Sequence, residues 1–142
     1  PIEPFCTRSM VEAVCVDPKQ VSEIWPKVSE LVRVAMMRGG LGSYAEVQKD
    51  VMSGRALLWL AVADKEFKGV AVTTLEKTEW NKSCLITACG GSNIEQWIDC
   101  IGRIEDFARD EGCDRVLIFG REGWIRWLPA YRPMRVVLER KL

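Results

Sequence analysis

The stretch "ITACGGSNIEQWI", from Ile86 to Ile98, decides the fold. An apolar run typical of a β-strand ends at a glycine pair, and Ser92 and Asn93 lead from it into a segment with helical apolar spacing. A strand that turns into a helix in this way presents backbone N–H groups at the positive end of the helix dipole. The stretch therefore predicts either an anion-binding turn or a glycine turn without a ligand, in both cases with Ser92 or Asn93 capping the helix.

The sequence on both sides of this turn predicts a β-α-β unit. "KSCLITA" (82–88) indicates the first strand, and "DRVLIFG" (114–120) indicates a buried second strand after a helix that ends at Gly112. The apolar face of that helix is formed by Ile94, Trp97, Ile98, Ile101, Ile104 and Ala108. The two strands should be parallel with a right-handed crossover, so a ligand cleft is expected between 82–88 and 115–119, near their carboxyl ends.

The remaining sequence predicts a strand, two helices and a hairpin before this unit, and a helical or irregular piece and a last strand after it. In chain order the expected elements are a strand at 10–16, a helix at 18–37 with a kink at Pro26, a helix from the Ser43 cap to Met52 with Gly54 just past its end, a hairpin of strands 56–63 and 67–75, a short helical or irregular piece at 121–133, and a last strand at 134–142. The last strand should join the hairpin in one continuous sheet.

Length and composition predict one globular domain spanning 1–142. The chain is 48% hydrophobic, which is enough for one sizeable core. It has no apolar run near the roughly 20 residues that a membrane span needs, and its first residues lack the basic-then-apolar order of a signal peptide. We therefore expect a soluble, cytoplasmic protein.

The residue inventory excludes several kinds of catalytic site. The chain has no histidine and no Cys-x-x-Cys pair, which excludes Ser-His-Asp triads and Cys-His dyads and leaves no expected metal site. Its six cysteines lie mostly in apolar strand or helix patterns, so we expect reduced, buried thiols. Cys89 is interpreted as a structural thiol rather than a nucleophile.

The order of elements, β-α-α-β-β-β-α-β-α-β, resembles the GNAT acyltransferase superfamily over nearly the whole chain. The resemblance implies an α/β fold with a mixed, mostly antiparallel sheet, a central splayed pair of parallel strands, and flanking helices. More narrowly, "GGSNIEQWI" together with "GCDRVLIFGREGWIRWLPAYRPMRVVLERKL" is similar to the small GNAT-like proteins of tailed phages and prophages.

This resemblance implies acetyl-CoA as the cofactor, with its pyrophosphate at the strand–helix turn. The residues implied in binding it are Ile86, Thr87, Ala88, Cys89, Gly90, Gly91, Ser92 and Asn93. The chain departs from the superfamily signature, because only the glycine pair remains and no Arg or Gln precedes it. The implied function is acyl transfer from acyl-CoA to an amine; the alternative is a non-catalytic GNAT-fold structural protein, such as a virion or assembly component in the host cytoplasm.

Acid–base candidates are few. In GNAT-like enzymes the general acid is often a tyrosine about five residues before the aromatic residue of a Gly-aromatic pair. If Ala130-Tyr131 corresponds to that pair, the position of the catalytic tyrosine is occupied by Arg126 or Trp127 in this chain. Tyr131 is therefore a displaced candidate for the general acid, with half-buried packing as the alternative. Glu76, with Glu79, is the candidate general base acting through water.

The C-terminal part of the chain is basic. Residues 115–142 carry seven basic and two acidic side chains, and cations alternate with rings between Arg121 and Arg132. Stacking on a base or nucleic-acid binding is one interpretation; packing of Trp124, Trp127 and Leu128 on a sheet is the stronger one, so nucleic acid is not an expected partner. The tryptophan content favours a homo-oligomer or a virion-protein complex, and no membrane partner is expected.

Overall fold

The computed structural model describes residues 11–39, 42–120 and 122–142. The described strands are β1 (Glu12–Cys15), β2 (Leu57–Ala63), β3 (Glu66–Lys77), β4 (Lys82–Gly91) and β5 (Arg115–Ile118). The described helices are α1 (Val21–Gly39), α2 (Tyr44–Ser53), α3 (Ile94–Trp97) and α4 (Ile101–Asp110), with 3₁₀ turns at Pro18–Gln20, Ile98–Cys100 and Glu122–Arg126. Two residues named in the sequence predictions, Met10 and Arg121, lie outside the described residues.

The sheet has the order β1-β2-β3-β4-β5. Its neighbours are antiparallel except for β4 and β5, which are parallel. This confirms the predicted α/β fold with a mixed, mostly antiparallel sheet and a parallel pair. Of the helices within the described ranges, none combines the length and apolar character that a membrane span requires.

Helices α1 and α2 cover one face of the sheet. Val28 and Val32 of α1 and Val51 of α2 are almost fully buried against strand residues of this face. The predicted cap of α2 is confirmed, because Ser43 Oγ accepts from the Glu46 amide at 3.3 Å and Gly54 has a left-handed φ of 83°. These two helices fix the position of β4, which packs against α1.

The other face of the sheet packs against α4. Ile101, Ile104 and Ala108 of α4 are buried together with Ile86 of β4. On the same face, Trp59 Nε1 donates to Thr73 Oγ1 at 2.9 Å. The predicted single helix from Ile94 is divided, because a 3₁₀ turn at Ile98–Cys100 separates α3 from α4.

The predicted last strand is wrong. Residues 134–142 form no strand, so they do not join the hairpin in one sheet. The apolar pattern of this segment is typical of a strand, but a strand needs a backbone partner, and the segment pairs with none of the described strands. Arg115 Nη1, at the start of β5, donates to Met134 Sδ at 3.7 Å, and the side chains that follow are exposed.

Candidate functional site

The parallel pair β4–β5 separates part-way along β4. The two strands are paired from Ser83 and Arg115 to Ile86 and Ile118, and the last contact of their backbones is a bond from the Phe119 amide to the Ile86 carbonyl at 3.3 Å. Beyond that point β4 continues to Gly91, and within the described parts of the chain it pairs there with β3 alone. An opening therefore lies between the carboxyl ends of two parallel strands, where open sheets bind ligands.

A β-bulge in β4 lies where β5 leaves it. Val72 of β3 pairs with Ala88 and Thr73 pairs with Ile86, so Thr87 is an extra residue without a partner in the ladder. The Thr87 hydroxyl donates to the Val72 carbonyl at 3.4 Å. The bulge directly follows Ile86, the last residue of β4 that pairs with β5.

The turn after β4 is held by two backbone acceptors. The Ser92 amide donates to the Lys68 carbonyl at 3.0 Å, and Trp97 Nε1 donates to the Ser92 carbonyl at 2.9 Å. The amides of residues 93–95 donate to no acceptor among the described residues. Three consecutive N–H groups at the start of a helix, beside the opening, are suited to binding an anion.

The predicted side-chain cap of this helix is wrong. Asn93 occupies the N-cap position with a left-handed φ of 53°, and its side chain makes no capping hydrogen bond. Asparagine tolerates this conformation better than most residues. The N–H groups at the helix start consequently stay available, which a side-chain cap would have prevented.

Gly90 and Gly91 belong to the end of β4 rather than to the loop. They pair with Val70 and Gly69 of β3. A Cβ at Gly90 would lie 2.8 Å from the Cβ of Ala35 in α1, and a Cβ at Gly91, whose φ is 154°, would overlap the Lys68 carbonyl. Close packing therefore explains why these two positions hold glycine.

Two indole rings span the opening on the α4 side. Trp97 of α3 lies over Gly69, whose strand partner Gly91 ends β4. Trp124 lies over Gly120, two residues after β5. The ring centroids are 6.1 Å apart with an interplanar angle of 60°, so the pair bridges the carboxyl ends of the two strands.

Tyr131 is bound to α4. Its hydroxyl donates to Glu105 Oε2 at 2.7 Å. Burial and this hydrogen bond raise the pKa of the Tyr131 hydroxyl above its ordinary value. A groove of about 250 Å³ adjoins the bond, between α4 and residues 127–131. In this arrangement the Tyr131 hydroxyl keeps its proton and donates it in a hydrogen bond to the Glu105 carboxylate.

Glu76 lies at the other end of the sheet from the turn. It is exposed and pairs with Ser83, whereas Gly69, seven residues earlier in β3, pairs with Gly91. At about 3.3 Å per residue, Glu76 is about 23 Å along the strand from the turn. It lies three residues from Thr73, which flanks the bulge, or about 10 Å. The structure places Glu76 away from residues 86–93, whereas Tyr131 packs against the same apolar cluster as Ile86 and Cys89.

Cys89 is a poor nucleophile. Burial raises the pKa of its thiol to about 12, so the thiol is protonated at neutral pH. The five cysteines of the described ranges, which exclude Cys6, are all free. Among the described residues, no group of three or more Cys, Asp or Glu side chains is placed to hold a metal ion.

Three residues of this region have roles that the sequence did not predict. The sequence predicts packing for Trp97, and packing or base stacking for Trp124, but not their mutual contact, and it does not indicate Glu105. The helical spacing could have indicated Glu105. It lies four residues after Ile101 and three before Ala108, so its carboxylate is beside the buried face of the helix. No local sequence signal predicts the contact of Trp97 with Gly69, because 27 residues separate the two along the chain.

Comparison with known proteins supports this fold. No protein-family model and no curated protein sequence matches the chain. Among solved structures, a predicted acetyltransferase from Clostridium acetobutylicum, crystallised with acetyl-CoA, is 10% identical with a TM-score of 0.65, covering 93% of this chain and 96% of its own. An aminoglycoside acetyltransferase from an uncultured soil metagenomic sample, in complex with sisomicin, is 13% identical with a TM-score of 0.66, covering 100% and 99%.

A third structure carries the family name. It is a GNAT family acetyltransferase from Staphylococcus aureus, 9% identical with a TM-score of 0.63, covering 94% of this chain and 99% of its own. At such low identity the likeness concerns the fold, and it covers nearly the whole of each chain. The chain therefore has the fold of GNAT acetyltransferases, as its order of elements predicts.

Proposed function

We propose that this chain is an acyl-CoA-dependent N-acyltransferase-like protein with acetyl-CoA as its donor. The observation that carries the proposal is the opening between β4 and β5, with the bulge at Thr87 on one side and the free amides of residues 93–95 at its mouth. The amides would bind the pyrophosphate, and the strand from Ile86 to Gly91 would line the path of the pantetheine arm.

The chain's own residues would contribute binding and orientation first. The donor supplies the activated thioester. Thr87, freed from the ladder by the bulge, offers backbone groups for the acyl end of the donor. The pyrophosphate would be bound without a side-chain cation, since no Arg or Gln stands before Gly90.

Tyr131 is the general acid that we propose. The chain has two tyrosines, and the other, Tyr44, stacks on Trp25 at the opposite face of the sheet. To protonate a departing thiolate, the Tyr131 hydroxyl must leave Glu105. Glu76 is the proposed base, acting on the amine through water because of its distance from the bulge.

A second candidate function is supported by the Trp97–Trp124 contact. Rings that bridge the opening oppose entry of a pantetheine arm, as expected of a GNAT-fold protein that has lost catalysis. The similarity of "GREGWIRWLPAYRP" to phage and prophage proteins supports a role in virion assembly for such a protein. The two candidates differ in whether acetyl-CoA binds.

The test is calorimetric titration of acetyl-CoA into the native chain and into Asn93→Asp. The new carboxylate would lie among the amides that bind the pyrophosphate, and asparagine and aspartate both tolerate the left-handed conformation. Taking about 0.3–1 kcal/mol per charge at a helix terminus and two pyrophosphate charges, Kd should rise about 3- to 30-fold.

Two controls identify the cause of the change. Gln48→Glu adds the same charge on the exposed face of α2 and should leave Kd unchanged. S-acetylpantetheine lacks the pyrophosphate, so Asn93→Asp should not alter its binding. Equal affinity of native chain and Asn93→Asp for acetyl-CoA would refute this site, and absence of binding to the native chain would favour the non-catalytic candidate.

A further inference from the structure

The groove between α4 and residues 127–131 includes none of the residues proposed to bind the donor. Its apolar lining comes from Ile98 and Ile101 on one side and from Leu128 and Pro129 on the other. At about 250 Å³ the groove is smaller than the roughly 300–1,000 Å³ of pockets that hold drug-sized ligands. It therefore suits a small ligand with an apolar middle part.

The charged residues of this groove are both carboxylates. Asp99 and Glu105 line it, and no described lysine or arginine does. Asp99 belongs to the 3₁₀ turn that leads directly into α4, so the two residues are about 10 Å apart along the helix axis. Ile101 and Gly102 of the lining lie between them in the chain. The groove therefore carries negative charge at two points that an apolar stretch separates.

Neither carboxylate is neutralised by a cation of the described chain. Asp99 and Glu105 form no ion pair there, and Arg126 instead lies 5.7 Å from the ring centroid of Trp127. Glu105 Oε2 accepts from the Tyr131 hydroxyl, which leaves Oε1 for a ligand. The hydroxyl oxygen of Tyr131 can also accept a hydrogen bond. The Glu105 end of the groove thus offers two acceptors to an ammonium group.

We propose that this groove binds a linear diamine in its doubly protonated form. One ammonium group donates to Glu105 and to the Tyr131 hydroxyl oxygen, and the other pairs with Asp99. The methylene chain between the two lies against Ile101 and Leu128, where it loses contact with water. A monoamine satisfies one carboxylate only, and both carboxylates repel an anion, so charge complementarity selects the diamine.

The test is calorimetric titration of hexamethylenediamine into the native chain in the absence of acetyl-CoA. Glu105→Gln keeps an acceptor for the Tyr131 hydroxyl but removes a half-buried charge, so Kd should rise about tenfold or more. Asp99→Asn removes an exposed charge and should raise Kd about 1.5- to 5-fold. Hexylamine has a single ammonium group, so Glu105→Gln should weaken its binding and Asp99→Asn should leave it unchanged.

The matched control is Asp110→Asn. It removes the same charge from the exposed end of α4, outside the groove, and should not change Kd. Absence of saturable binding of hexamethylenediamine would overturn the proposal, as would an affinity that neither groove variant alters. Equal weakening by Asp110→Asn would overturn it too, because the attraction would then depend on net charge alone. Since acetyl-CoA is left out, these outcomes are independent of whether the proposed function fails.

Discussion

Trp124→Ala should have opposite effects on stability and on acyl-CoA affinity. Trp124 is half-buried and contacts Trp97 at 6.1 Å between ring centroids, across the opening where the donor is proposed to bind. Such an aromatic pair contributes about 0.5–1.5 kcal/mol beyond its buried area. If this contact must break before the donor enters, its removal should tighten binding about 2- to 12-fold, because 1.4 kcal/mol corresponds to a tenfold change.

The same substitution should lower the free energy of unfolding. Removing the indole eliminates the pair energy and the area that Trp124 buries against Gly120, so a loss of about 1–3 kcal/mol is expected. Urea denaturation gives the stability, and titration with acetyl-CoA gives the Kd. Trp80→Ala is the matched control, since Trp80 is 83% exposed, and neither quantity should change. Weaker binding by Trp124→Ala would refute the reasoning, because Trp124 would then be part of the binding surface.

Two further predictions concern packing and titration at the end of β4. Gly91→Ala should lower the free energy of unfolding, measured by urea denaturation, by about 2–4 kcal/mol, because its Cβ would overlap the Lys68 carbonyl at a φ of 154°. The control Gly102→Ala should be neutral or stabilising, since no atom lies within 4 Å of its Cβ. Equal effects of the two substitutions would contradict this prediction. Stability should also fall as pH rises from about 9 to about 12, because the unfolded chain releases the Cys89 proton at its ordinary pKa while burial keeps the native thiol protonated. Cys89→Ala should reduce that slope in urea titrations at several pH values, and an unchanged slope would show that Cys89 is not responsible.

The elements that the sequence predicts correctly are those with local signals. The hairpin of β2 and β3 is predicted by two β-rich runs around Asp64 and Lys65, and both residues have the positive φ that such a turn requires. The start of α2 is predicted by Ser43 and Glu46. In each case the deciding residues lie within a few positions of one another, so no knowledge of tertiary packing is needed.

The features that the sequence misses are decided by distant partners. β4 extends through Gly91 because β3 offers Gly69 beside it, and nothing near Gly91 in the sequence shows this. The pattern at 134–142 is typical of a strand, but its partner is absent from the described sheet. For the site, the sequence predicts the region 86–93, while the bulge at Thr87 and the ring contact across the opening follow from tertiary packing.

The lost Arg or Gln before the glycine pair is a weaker argument against cofactor binding than the bridging rings. The anion site needs free amides, and residues 93–95 provide them without a signature side chain. Trp124, in contrast, contacts Trp97 and lies over Gly120, beyond the carboxyl end of β5. It belongs to a 3₁₀ turn outside the sheet, in which the amides of Trp127 and Leu128 donate to the Trp124 carbonyl. Leu128 is buried, whereas Trp124 is only half-buried. Displacing the indole would break its contacts with Trp97 and Gly120. A donor that displaces the indole would therefore have to offset no more than the contribution of Trp124 to stability, about 1–3 kcal/mol, which a typical cofactor affinity exceeds.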